Sequence, residues 1–225
     1  QIDSVRIIWP GQGTQVLSEL SVNQHLEVER PVADLPIATA GNLIEAPVFE
    51  VFPLQHEENP YEDYEKEKLM PERLSQEGPA VLYEDLNADG IKDLLIGGAH
   101  GYPMRLLQGQ ADGSFQNLEV DAFTRDAGYE DASFAVIDFD ADGDLDLYAV
   151  SGGGAAKELE KALEDRLYLN NGNMDFRRVQ LSLPHTNGSV VAVADFNKDG
   201  YEDIFVGARS IPGSYGLSPY SFILT

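Results

Sequence analysis

The 225-residue chain contains no cysteine. That single absence excludes disulfides, thiolate nucleophiles and thiolate-ligated zinc, while leaving the redox compartment open. Cations are also scarce, with 15 Lys+Arg against 39 Asp+Glu and a formal net charge of -24. Such a field repels nucleic-acid phosphates and anionic lipid surfaces, so neither is an expected partner. No run reaches the roughly 18 to 20 apolar residues of a membrane-spanning helix. The chain opens at Gln1 without a signal-like apolar segment, which we read as expected of a piece of a longer or processed protein. Histidine appears four times, singly, at His25, His56, His100 and His185. There is no HExxH, no recognisable Ser-His-Asp context and no phosphate-cradling glycine loop.

Apolar residues nevertheless make up 43% of the chain, and 21 Gly and 12 Pro punctuate short apolar runs. The acidity is therefore that of a folded, loop-rich, mostly β protein and not of a disordered tail. Three segments align with one another: VLYEDLNADGIKDLLIGG from Val81, FAVIDFDADGDLDLYAVSGG from Phe134 and VAVADFNKDGYEDIFVGAR from Val191. Each has an apolar run, an acidic nine-residue loop and a second apolar run. LLQGQADGSF (106–115) and LYLNNGNMDF (167–176) follow the first two loops, and each reads as a hairpin. One unit is thus four short strands in some 50 residues, the size of a propeller blade. The third unit reaches SFILT without a closing hairpin.

The expected fold is all-β, a small N-terminal β module followed by part of a β-propeller of three blades. The module covers 1–50, where SVRIIWPGQGTQ turns after a strand that ends at Trp9 and NQHLEVER reads as another strand. A charged linker or strap covers 51–78, with a helical turn within 57–77. The repeats cover 79–225, divided as 79–131, 132–188 and 189–225. Leu159 and Leu163, spaced i, i+4 in AAKELEKALEDR, predict a surface helix over 155–166.

Each acidic loop satisfies D-x-[DN]-x-D-G-x-x-D. Positions 1, 3 and 5 point three side-chain oxygens into one concavity, and the glycine at position 6 permits the sharp turn. A backbone carbonyl at position 7 and a carboxylate at position 9 complete the shell. The predicted ligands are Asp85, Asn87, Asp89, the Ile91 carbonyl and Asp93; Asp138, Asp140, Asp142, the Asp144 carbonyl and Asp146; and Asp195, Asn197, Asp199, the Tyr201 carbonyl and Asp203. In the second loop the Asp144 side chain is left to face water. An all-oxygen set of this size suits calcium, whereas magnesium demands a stricter octahedron and zinc prefers N or S donors. An EF-hand is excluded, because its bidentate Glu at position 12 is replaced by Ile96, Ala149 or Val206. Three calcium sites are expected, as fastenings inside the blades.

The loops and the following LLIGG (94–98) and IFVGA (204–208) resemble FG-GAP or VCBS-type repeats, the blades of integrin-α-like propellers. YAVSGGG replaces that signature in the second unit. VRIIWPGQGTQVLSELSVNQHLEVE is similar to the ASPIC/UnbV domain. The resemblance implies a propeller of about seven blades, a bacterial cell-surface, extracellular or periplasmic protein and a calcium-dependent adhesion or recognition role without catalysis. A protein or glycan ligand would be held by face loops such as HGYPMR (100–105) and RSIPGSYGLSPYS (209–221). The alternatives are a structural stalk or scaffold segment and a propeller-based hydrolase or lyase. Three blades cannot close a propeller, so self-association through open blade edges, or cover by 57–77, is expected.

Overall fold

A computed structural model describes residues 4–9, 13–18, 28, 54–155 and 161–225. The chain forms two compact units, 1–53 and 54–225. In the first, β1 (Ser4–Trp9) and β2 (Gly13–Ser18) pair as an antiparallel hairpin. The strand expected from Asn23 lies outside the described residues, apart from position 28.

The second unit contains three antiparallel sheets. β3 (Val81–Glu84), β4 (Asp93–Ile96), β5 (Arg105–Gly109) and β6 (Phe115–Leu118) form the first in sequence order. β7 (Asp131–Ile137), β8 (Asp146–Ser151), β9 (Arg166–Leu169) and β10 (Arg177–Val179) form the second. β11 (Asn187–Ala194), β12 (Asp203–Ser210) and β13 (Phe222–Leu224) form a third sheet of three strands. Both predicted hairpins are present, with Gly109 opposite Phe115 and Leu169 opposite Arg177. These sheets are propeller-like blades, and among the described residues they form no closed barrel.

Strand alternation sends successive side chains to opposite faces, and the two core clusters follow that rule. Leu82, Leu95 and Leu106 of the first sheet meet Phe134, Val136, Leu147 and Ala149 of the second. The opposite face of the second sheet, with Ile137, Tyr148, Val150 and Leu167, meets Val191, Val193, Ile204 and Val206 of the third. All six residues of β8 are buried, because this strand has a neighbour on each side. Each Leu, Val or Tyr so buried contributes about 1.5–3 kcal/mol.

Two elements were not legible in the sequence or differ from its expectation. α2 (Asp121–Arg125) follows β6 and drives Phe123 into the first core, edge-on to Tyr168 at a 5.1 Å centroid distance. The solvated helix expected at 155–166 is not what the described part of that segment forms. Lys161–Leu163 is a single 3-10 turn, Leu163, Asp165 and Arg166 are buried, and Arg166 opens β9. Residues 156–160, including Leu159, lie outside the described residues. The leucine spacing carried a helical period, but burial of this stretch beside β8 overrode it.

The segment 54–79 packs on the sheets, with Met70 and Leu74 buried, and contains the short helix α1 (Asp63–Lys66). It makes polar contacts at the first sheet, beside the second and at the third. Arg105 donates to the Gln55 carbonyl, Asn59 donates to Glu130, and Arg209 pairs with Glu72 and Glu77.

Candidate metal centres

Each acidic loop joins the first two strands of its sheet, β3–β4, β7–β8 or β11–β12. The three backbones share two left-handed residues. Gly90, Gly143 and Gly200 at position 6 have φ of 85°, 96° and 95°, and Ala88, Ala141 and Lys198 at position 4 have φ of 56°, 59° and 63°. Glycine adopts such angles without a Cβ clash, so position 6 explains itself. Position 4 carries a side chain there three times, a strain that the motif alone did not announce.

Hydrogen bonds hold the turn. Asp89 N–H donates to Asp85 and Asn87, Gly90 N–H donates to Asp85, and Ile91 N–H donates to Asp89. The third loop repeats the set, from Asp199 to Asp195 and Asn197, from Gly200 to Asp195, and from Tyr201 to Asp199. In the second, Gly143 donates to Asp138 and Asp144 to Asp142.

Position 9 is the buried anchor. Asp93, Asp146 and Asp203 are at most 1% exposed. Their Oδ2 accepts the N–H of the residue at position 2, from Leu86 at 2.9 Å and from Phe139 and Phe196 at 2.8 Å. The other oxygen of Asp93 accepts from Gly109 N–H, and that of Asp146 from Asn170 N–H. Burial pushes the Asp93 and Asp146 carboxyls up, opposed by these backbone bonds and reinforced by the neighbouring loop aspartates. A cation at the loop would remove that penalty by favouring the charged form.

The second loop brings Asp138, Asp140 and Asp146 together, with one oxygen of each within 4.8 Å of the others. Asp142 lies outside that trio, its Oδ1 accepting from Asp144 N–H. In the first and third loops Asn87 and Asn197 stand at position 3 and donate to Asp89 and Asp199 at 3.0 Å. The Asp144 side chain does not simply face water. It is half-buried and leans over the following turn, where a Cβ on Gly172 would come within 2.6 Å of it. The donor chemistry of the trio, three carboxylates on a turn without nitrogen or sulfur donors, fits a hard divalent cation.

Asn170 escaped the motif reading. It is buried beyond β9, and its Nδ2 donates to the Leu86 carbonyl of the first loop at 2.7 Å and to the Leu145 carbonyl of the second at 3.1 Å. Its own N–H reaches Asp146, and its Oδ1 accepts from Met174 N–H. One side chain therefore fastens two acidic loops together across a sheet boundary. No spacing rule pointed to it, because its partners are 84 and 25 residues away.

The expected contact loops divide. Met104 in HGYPMR is core, and Arg209 is tied to the 54–79 segment, whereas Tyr215, Leu217 and Tyr220 are exposed. Of the histidines, His56 pairs with Glu58 and the His100 ring bonds the Gly128 carbonyl. At the end of the sheets opposite the acidic loops, a cavity of about 140 Å³ lies between His56, Glu58, Glu130, Asn187 and Arg209. Burial first, then Glu58, Asp63 and Asp131, push Glu130 up to about 8.

A search of curated proteins found no match. The FG-GAP-like repeat matches residues 85–149 and 150–206, more than half of the chain. The first matched unit starts at the first acidic loop and ends inside β8, so it straddles two sheets. With these loops placed between the first two strands of each blade-like sheet, the chain belongs to the FG-GAP-like repeat family.

Proposed function

We propose that the chain is a calcium-stabilised, non-catalytic recognition or adhesion module of an extracellular or cell-surface protein. FG-GAP repeats are typical of such proteins, and among the described residues no helix is long and apolar enough to cross a membrane. The observation that carries the reading is the convergence of Asp138, Asp140 and Asp146 on a turn whose left-handed positions recur in all three loops. The ligands would be Asp85, Asn87, Asp89 and Asp93 with the Ile91 carbonyl, and their counterparts in the other two loops. Bound calcium supplies charge neutralisation there. The chain's own residues fix the geometry, with position 9 anchored by backbone N–H groups and Asn170 tying one loop to the next.

Recognition of a protein or glycan would fall to surfaces that this framework holds, such as the loop with Tyr215 and Tyr220. An ASPIC/UnbV-like module at 1–50 is part of the same proposal and rests on the sequence resemblance; the described residues of that span include the β1–β2 hairpin. The test is a thermal melt with calcium, with chelator, and in Asp140→Asn. At a hundredfold excess over Kd, each occupied site adds about 2.7 kcal/mol. A melting temperature indifferent to calcium and chelator would overturn the reading.

A further inference from the structure

The buried carboxylates at position 9 of the first two acidic loops are the two ends of one hydrogen-bond relay. Asp93 Oδ2 accepts the Leu86 N–H at 2.9 Å, and the Leu86 carbonyl accepts from Asn170 Nδ2 at 2.7 Å. The Asn170 N–H then reaches Asp146 Oδ1 at 2.8 Å. Two residues thus connect one predicted metal ligand to another across the boundary between the first and second sheets. All four residues are at most 4% exposed, so water offers no substitute for a bond that breaks.

The Asn170 amide has no slack. Its two N–H groups go to the Leu86 and Leu145 carbonyls, and its oxygen accepts from Met174 N–H. Each carbonyl belongs to a different loop. Leu86 stands between Asp85 and Asn87, at positions 1 and 3 of the first loop, and Leu145 precedes Asp146 in the second. A shift of either loop therefore pulls on the other through a buried amide that has no second partner to turn to.

The side chain is not needed to anchor position 9. In the first sheet the corresponding N–H belongs to Gly109, which donates to Asp93 Oδ1 at 2.9 Å. A Cβ there would run into the Lys92 carbonyl. The Asn170 amide is thus an addition to the anchor, and what it adds is the link between the loops.

We propose that Asn170 couples cation binding at the first two loops, so that filling either one raises the affinity of the other. The coupling presupposes calcium at both loops, as proposed above. Setting the relay costs conformational freedom once; the loop filled first bears that cost, and the second binds to a relay already set. Charge acts in the opposite sense, since filling one loop removes part of the negative field that draws a cation to the other. Salt screens that contribution and leaves the buried relay intact, so the coupling grows with ionic strength. By linkage it has the same factor in both directions.

The experiment is a calcium titration of the whole chain followed by proton–nitrogen NMR. The amides of Gly90 and Gly143 report the two loops separately, because each donates to the first aspartate of its own loop. Asp89→Ala and Asp142→Ala, both at the exposed position 5, silence one loop at a time. Asp142→Ala should weaken the affinity reported by Gly90 about fivefold or more, and Asp89→Ala should weaken that reported by Gly143 by the same factor. Both effects should fall below about twofold in Asn170→Gly, which copies the Gly109 arrangement and keeps the N–H to Asp146. Asn170→Ala supplies the same comparison if the glycine variant does not fold. An Asn170 that only braced its own turn would lower affinity without changing these ratios, and that result overturns the proposal. So does a Gly90 affinity indifferent to Asp142→Ala. If neither glycine amide responds to calcium, the calcium reading itself falls and the coupling with it.

Discussion

Arg166 Nη2 donates to Asp131 Oδ1 at 2.5 Å, with both side chains at most 2% exposed. The pair joins β9 to β7, and the second oxygen of Asp131 accepts Gly98 N–H, just beyond β4, at 2.8 Å. The guanidinium also lies 4.4 Å from the centre of the Tyr129 ring, whose hydroxyl accepts from Arg178. Removing one member of such a pair leaves the other charged and dry. Asp131→Asn or Arg166→Met should each cost about 3–5 kcal/mol. The joint replacement should cost less than the two singles together, as read by urea denaturation in a double-mutant cycle.

The acidic loops separate fold from ion binding by position. Asp146 accepts two backbone N–H groups, and Asn at that place can accept with only one side-chain atom. Asp146→Asn should therefore lose about 1–3 kcal/mol even in chelator. Asp140, exposed and without such bonds among those described above, should lose only its calcium response when changed to Asn. Melting curves with and without calcium distinguish the two. If both variants behave alike in chelator, position 9 is not the anchor described here.

Left-handed strain at position 4 is relieved by glycine. Ala88→Gly and Ala141→Gly should each stabilise the protein by up to about 1 kcal/mol, because the αL penalty for a side chain outweighs the extra unfolded-state entropy of glycine. Equilibrium unfolding at fixed calcium measures it.

Glu130 sets a pH dependence. Its pKa is raised from 4.5 to about 8 by burial and by Glu58, Asp63 and Asp131, against the Asn59 bond that favours the charged form. Below the unfolded value both states hold the proton and nothing is lost. Between about 4.5 and 8 the folded state holds more protons than the unfolded one, so this group's contribution falls as pH rises, and the loss is complete above 8. Glu130→Gln should leave stability unchanged at pH 4 and raise it at pH 8–9, by an amount on the order of a few kcal/mol. An equal effect at both pH values would count against the protonated carboxyl.

Asn170→Ala should loosen two loops at once. The Leu86 and Leu145 carbonyls lose a shared donor. Calcium titration by calorimetry should show weaker binding at both the first and the second loop, with the third unaffected.

The strands, hairpins and acidic loops were legible because they are local patterns, namely period-two alternation, a glycine at position 6 and ligand-type residues at odd positions. What stayed hidden depends on contacts distant in sequence. Asn170 reads as a turn residue until the Leu86 carbonyl, 84 residues away, is placed beside it. Arg166 reads as one end of a charged helix until Asp131 is found opposite. The charged segment at 57–77 reads as a linker or strap, but its composition does not show that Asn59, Asp63 and Ser75 are buried in it. Asp63 accepts from the Ser75 hydroxyl, a satisfaction that composition alone does not disclose.

That segment has a mechanical consequence. It is attached near Arg105 on the first sheet, at Glu130 beside the second, and at Arg209 on the third, where Tyr215 N–H also donates to Glu67. A chord pinned at both ends and at its middle fixes the curvature of the arc it spans. The angle between successive sheets is therefore held by a tie of fixed length as well as by the apolar seams. Severing the tie at Arg209 removes one of those restraints and leaves the apolar seams to hold the third sheet.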